Sequence, residues 1–175
     1  MYSNFTKKTI LAACLAIVAT LISVTFATGQ TIFAITANNE LTSFSAATPT
    51  ITTAAIPIMG LPAGQQIVGF DSRPRTGDFY VLGYDASTMT GRLYKMTQMG
   101  MLTPVGAADF AINLGASQNV GFDFNPTVDR IRVVATNRKN YRLHPDLGTV
   151  VATDADLAYA ATDVNAALTP AVGQI

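Results

Sequence analysis

Cysteine is all but missing. Cys14 is the only one, and it lies in an N-terminal stretch with the pattern of an export signal, so the exported chain would hold none and no disulfide can brace it. Histidine is equally scarce, with His144 alone. A zinc centre drawing three or four ligands from Cys, His and acidic side chains therefore has little to use. Basic residues are few as well: loss of Lys7 and Lys8 with the signal would leave 9 basic against 11 acidic residues. Nucleic-acid binding depends on many phosphate-neutralising Lys and Arg side chains, so this balance argues against it. The same shortage gives no reason to expect attachment to anionic lipid. About 146 residues remain after the signal, enough to bury a core without disulfides.

The chain does have one long apolar run, Ile10 to Ala27, with no charge in it. Lys7 and Lys8 precede it, and the small residues Thr25, Ala27 and Gly29 at its end offer cleavage after Ala27 or Gly29, so residues 1–29 read as a signal peptide and 30–175 as the exported β-repeat domain. An uncleaved N-terminal anchor is the rival reading of a run this long. Leu11-Ala12-Ala13-Cys14 also has the shape of a lipoprotein cleavage site, but only Thr9 and Ile10 separate it from Lys8. The expected location is secreted or extracytoplasmic, in the periplasm or at the cell surface.

Downstream, one pattern occurs twice. Gln66 to Pro74 (QIVGFDSRP) and Gln118 to Pro126 (QNVGFDFNP) share Gln-x-aliphatic-Gly-Phe-Asp-x-x-Pro at a spacing of 52 residues. Periods of roughly 20 to 50 residues mark solenoids, propellers or arrays, whose units bury their apolar faces against one another. Within each unit the pattern is of short strands and turns. Phe79, Val81 and Gly83 alternate with Tyr80, Leu82 and Tyr84, which predicts a strand over 78–84 packed on both faces. Further strands are predicted over 31–36, 41–44, 92–96, 101–105, 130–135, 141–143 and 149–153. Arg130 and Arg132 share one face of their strand, which is expected to be solvated on that side. Pro57 restricts residues 50–61 to an edge strand or a strand followed by a loop. Asp123 to Asp129 is expected to make a Pro-containing turn, and Asp163 to Leu168 a short helix.

The expected fold is all-β, built of repeated antiparallel β-units of about 50 residues. Three such units fall short of the four to eight blades that close a propeller ring. The fold is thus a β-propeller-like array left incomplete, a sandwich, an open solenoid or a symmetric oligomer, and an open strand edge would favour self-association.

Chemistry-bearing residues are few. Asp71 and Asp123 occupy the same slot in two units, and an aspartate ahead of a Pro-containing turn accepts backbone N–H bonds and fixes the turn. A second reading gives Asp71, Asp123 and Asp129 to calcium as hard oxygen ligands. Asp154, Asp156 and Asp163 form another acidic set, but without the glycine-centred loop and terminal glutamate of the twelve-residue calcium motif. His144, between Leu143 and Pro145, reads as a turn histidine. A Ser117, His144 and Asp123 triad lacks the sequence of a nucleophile elbow. Tyr80, Tyr84, Tyr94 and Tyr141 lie near the loops and are candidate ligand contacts, although strand tyrosines more often pack.

Several strings are similar to a bacterial family of secreted proteins, the domain of unknown function numbered 4394 (DUF4394). They are Phe33-Ala34-Ile35-Thr36, Gly69-Phe70-Asp71 with Arg73-Pro74 and Thr76-Gly77, and the long run from Gly121 to Val134 (GFDFNPTVDRIRVV). Arg142 to Gly148 (RLHPDLG), Ala152-Thr153-Asp154 and Leu157 to Ala160 extend the resemblance, which covers about Ile32 to Val172. It implies a β-propeller-like fold, often with further units, and brings no catalytic residue. The function expected is a structural or binding module at or outside the cell surface, with an extracellular protein or glycan as partner and no cofactor. The alternative is a calcium-dependent extracellular hydrolase of propeller type, in which Asp71 and Asp123 converge on a cation.

Overall fold

The structure, a computed structural model, describes residues 29–116, 119–170 and 172. The signal-like run lies outside the described residues, as do Ser117 and Gln118. The chain divides into two compact units, Met1–Ile32 with Phe44–Ile51 and Phe33–Ser43 with Thr52–Ile175. In the smaller one, Ala46 N–H donates to Gln30 O at 2.8 Å, and Thr48 N–H to Ser45 O at 2.9 Å. Everything else described below belongs to the larger unit, apart from the outer ends of the first two strands.

Every regular element among the described residues is a strand: β1 (Thr31–Ile35), β2 (Glu40–Ser45), β3 (Ile56–Pro57), β4 (Gln66–Ser72), β5 (Phe79–Asp85), β6 (Thr90–Met96), β7 (Leu102–Pro104), β8 (Phe110–Ala111), β9 (Val120–Asn125), β10 (Arg130–Ala135), β11 (Asn140–His144) and β12 (Thr149–Thr153). They form three sheets, ordered β1-β2-β3, β4-β5-β6-β7 with β8 also on β6, and β12-β11-β10-β9, none of which closes on itself. Neighbouring strands pair antiparallel. Pro57 sits on an edge strand, where its missing N–H costs no ladder bond.

The 52-residue spacing survives in the strand register. In one sheet Phe70 faces Val81, Asp71 faces Tyr80 and Ser72 faces Phe79. In another Phe122 faces Val133, Asp123 faces Arg132 and Phe124 faces Ile131. Each of these pairs is the other moved by 52 positions. The connecting turns match too: Gly77 N–H donates to Arg73 O at 2.8 Å, and Asp129 N–H to Asn125 O at 2.9 Å. Gly77 has φ 74° and Asp129 φ 51°, so the same turn position is left-handed in both repeats, once with glycine and once with an aspartate that tolerates it.

β5 is buried on both faces, as its alternation predicts. Tyr80, Leu82 and Tyr84 join Phe122, Phe124, Ile131 and Leu143 in one core cluster, where the Tyr80 and Phe124 rings meet edge to face at 5.2 Å. Val81 points the other way, into a cluster with Leu41, Tyr94, Met96 and Leu102. Phe79 bridges Phe33 and Phe70 there, with ring centroids at 4.7 and 5.4 Å. An edge-to-face pair of this kind adds about 1 kcal/mol beyond the area it buries.

Two expectations are corrected. Asp123 lies inside β9 and not in the turn, which begins after Asn125. Asp163 to Leu168 forms successive turns rather than a helix. Ala166 N–H reaches Asp163 O and Leu168 N–H reaches Asn165 O, while Asp163 Oδ1 accepts Asn165 N–H at 2.8 Å. That side-chain bond offers the backbone an alternative to helix.

Candidate functional site

Arg73 follows β4, and Pro74 after it pre-sets a tight turn in which Arg73 N–H donates to Asp78 O at 2.9 Å. The turn sends the guanidinium inward, leaving Arg73 only 5% exposed, the one buried charged residue among those described. It is met by two carboxylates from the following repeat. Nε donates to Asp129 Oδ1 at 2.9 Å and Nη2 to Asp129 Oδ2 at 2.5 Å. Nη1 and Nη2 donate to the two oxygens of Asp146 at 2.6 and 3.0 Å, and Nη1 also to Tyr80 Oη at 3.3 Å. All five guanidinium N–H groups are thereby engaged.

The electrostatics follow from that geometry. Hydrogen bonds from Arg73 hold the carboxyls of both Asp129 and Asp146 below the ordinary carboxylate range. The same bonds raise the guanidinium pKa further. Arg75 adds a longer contact to Asp129 from the exposed rim, at 3.4 Å. His144 fixes the Asp146 end, because its Nδ1 accepts the N–H groups of Asp146 at 3.2 Å and Leu147 at 3.4 Å. That acceptor role places the ring proton of the neutral imidazole on Nε2. His144 itself ends β11, and its side chain caps the turn that follows, while Ser117 of the triad reading lies outside the described residues.

Asp71 and Asp123 share a slot but not a role. Asp71 accepts Ser72 N–H at 2.7 Å and, across to the neighbouring sheet, Phe124 N–H at 2.8 Å. It therefore ties two repeats together in addition to holding its own chain. Asp123 is exposed; its backbone pairs in the β9–β10 ladder, but its carboxylate accepts no hydrogen bond among the described residues. Partial desolvation, and then the negative charge of Asp71, hold its carboxyl above the usual range. The two are thus close enough to repel, whereas Asp129 is committed to arginine.

The second acidic set is dispersed. Asp154 is bound by Arg142 and Arg132, Asp156 by Lys139 at 2.9 Å, and Asp163 caps its own turn. Among the described residues, no group of three or more His, Cys, Asp or Glu side chains is placed to hold a metal ion.

The tyrosines named as ligand candidates are all interior: Tyr80, Tyr84, Tyr94 and Tyr141 are between 0 and 7% exposed. Their hydroxyls serve the fold. Tyr84 Oη accepts Leu114 N–H at 3.3 Å, Tyr94 donates to Gln65 Oε1 at 2.8 Å, and Tyr141 Oη accepts Asn113 N–H at 3.2 Å. Two grooves of about 400 Å³ each remain among the described residues: one is walled by Ile35 to Ala37, Asn39, Ile67 to Phe70, Val120 and Phe122, the other lies beside Tyr84 to Ser87.

The model of the family described as Domain of unknown function (DUF4394) matches residues 40–175. The chain belongs to that family. No curated protein matches it. The DUF4394 match covers β2 to β12 and hence both Gly-Phe-Asp repeats and the arginine clamp between them. Sequence reasoning missed Arg73 as the key ionic residue of this DUF4394 domain. One signal was present: its counterpart 52 positions on is Asn125, the one change of charge between the two copies of the motif.

Proposed function

We propose that this DUF4394 domain is an exported, propeller-type repeat module that binds an extended polypeptide. The observation carrying the reading is the groove beside β4 and β9. Both are edge strands, each paired on one flank only, and apart from Thr36 and Asn39 the groove walls are apolar residues and glycine. Apart from the Phe124 N–H that Asp71 takes, edge backbone beside apolar residues suits a chain segment that adds to a sheet edge. A volume of this size lies in the range of ordinary binding clefts. The repeated register and the two buried faces of β5 support stacking of blade-like sheets. The charged start and apolar run of the sequence support export. A binding role also accords with the chemistry of the clamp, where His144, Asp129 and Asp146 are committed to holding turns.

A peptide-display selection against the purified protein tests the binding reading. Extended peptides with apolar residues at alternate positions are expected to be enriched. Ala37→Arg, at an exposed position on the groove wall, is expected to abolish capture without lowering the melting temperature. No enrichment, or capture unchanged by the substitution, would sink the proposal. Fractionation of producing cells checks export.

A further inference from the structure

Met96-Thr97-Gln98-Met99-Gly100-Met101 places three methionines within six residues. Met96 is core, at 5% exposure, but Met99 and Met101 are 74% and 44% exposed. The backbone adds a fourth from far away in sequence. Met59, itself 50% exposed, forms an isolated parallel bridge with Met101. Its N–H donates to Gly100 O at 2.8 Å, and Leu102 N–H donates to Met59 O at 2.9 Å. Residues opposite one another in a parallel pair stand side by side with side chains on the same side.

Gly100 makes the approach feasible. Its φ is +76°, and a Cβ there would stand 2.6 Å from Pro57 O, so a side chain would push the 57–59 segment away. The 97–101 turn is closed on itself by Thr97 N–H to Met101 O and Gly100 N–H to Thr97 O, both at 3.0 Å. Met99 is thus held two residues from Met101 on a pinned turn, with Met59 alongside.

Methionine ordinarily fills core gaps. Met59, Met99 and Met101 are 50%, 74% and 44% exposed, so none of the three is a buried gap-filler. Segments 57–59 and 97–101 carry no Cys, His, Asp or Glu, so the side-chain donors best suited to a metal there are soft sulfurs. Thioethers select monovalent copper among the first-row metals, whereas calcium and magnesium require oxygen. We propose that Met59, Met99 and Met101 form a Cu(I) site, with the metal held by their Sδ atoms. The site is independent of the peptide groove, and neither proposal depends on the other.

The test uses the full chain, incubated without oxygen with Cu(I) kept reduced by ascorbate and then challenged with a chromogenic Cu(I) chelator. Retention of about one copper per chain is expected, as befits one set of soft ligands. The triple variant Met59→Leu, Met99→Leu, Met101→Leu is expected to give up its copper at a chelator concentration the parent withstands. Its copper-free melting temperature should match the parent, since Leu for exposed Met nearly conserves volume. Met89→Leu, at an exposed methionine in the turn between β5 and β6, is expected to retain copper like the parent. A parent that yields all its copper to the weakest challenge, or a triple variant that retains as much as the parent, overturns the assignment.

Discussion

Arg73 Nε donates to Asp129 Oδ1 at 2.9 Å, joining the turn after β4 to the turn after β9. These two turns are counterparts in the repeat. Arg73 corresponds to Asn125, and Asp129 to Gly77, so each turn supplies the half of the ion pair that its counterpart lacks. The repeat is kept in the backbone and broken in the side chains where the repeats meet. Like units can stack with their backbones alone, but a clamp between successive units needs complementary ends.

Arg73→Met is therefore expected to destabilise the fold strongly, because it leaves Asp129 poorly hydrated with only the rim contact from Arg75. Removing one partner of a buried pair costs about 3–5 kcal/mol. The lower end is expected here, since the Asp146 side chain is 57% exposed and can regain water. Arg73→Lys keeps the charge but loses the fork that meets two carboxylates, and should fall between. Urea denaturation midpoints measure both. A loss for Arg73→Met no greater than that of a surface arginine would refute the clamp.

The strands were legible because a period of two residues is written directly into a sheet: 130–135 and 149–153 lie where expected, and β5 packs on both faces. What sequence could not supply were partners. A charged residue beside Pro74 reads as solvent-facing, and only Asp129 and Asp146, 56 and 73 residues away, make burial of Arg73 tolerable. The tyrosines follow the commoner reading, in which strand tyrosines pack, but their partners are hidden for a related reason. Their proximity to loops was visible, but not that Gln65, Asn113 and the Leu114 amide would satisfy hydroxyls inside the core. Of the candidate carboxylates, the shared slot of Asp71 and Asp123 was legible, but the difference between them depends on a neighbouring sheet that only Asp71 reaches.

Acid should act through the same clamp. Asp129 and Asp146 have folded pKa values depressed by hydrogen bonds from Arg73, and Asp154 by bonds from Arg142. Their stabilisation is present above the unfolded aspartate value of about 3.9 and is lost as pH falls through the lower folded values. Stability of the parent is expected to drop steeply below about pH 4. Arg73→Met, having already lost the Asp129 and Asp146 contribution, should fall less steeply. Chemical denaturation at a series of pH values reads the two slopes, and equal slopes would exclude Arg73 as the cause.

Asp71 and Asp123 should respond with opposite signs. Asp71→Ala orphans the Phe124 N–H and is expected to cost about 1–3 kcal/mol. Asp123 has a raised folded pKa, so its ionised form opposes folding, and stability is gained as pH falls through that value. Asp123→Asn is therefore expected to stabilise the protein modestly at neutral pH, with the advantage vanishing below about pH 4, where the unfolded aspartate is also protonated. Thermal melts at pH 7 and pH 3.5 distinguish the two residues; a neutral-pH loss for Asp123→Asn comparable to that of Asp71→Ala would contradict the division of roles.

The two repeat glycines near the clamp separate close approach from backbone strain. A Cβ on Gly69 would lie 2.6 Å from both Cβ and Cγ of Phe122, in the contact that seats one repeat on the next. Phe122 is itself buried, so it has little room to yield. Gly69→Ala should therefore cost about 1–3 kcal/mol through overpacking. Gly77 has open space around it and only its φ of +74° to oppose a side chain, so Gly77→Ala should cost about 1–2 kcal/mol. Gly77→Asp, which installs the residue its counterpart already carries at φ 51°, should cost less than Gly77→Ala, because aspartate enters the left-handed region more readily. No residue can relieve Gly69 in that way, since any Cβ meets Phe122. The decisive comparison is a double substitution, Gly69→Ala with Phe122→Leu. If close approach is the cause, the smaller partner should recover part of the Gly69→Ala loss relative to Phe122→Leu alone, whereas the Gly77 variants should be indifferent to position 122. Strict additivity at both glycines would show that the two repeats do not pack through Gly69.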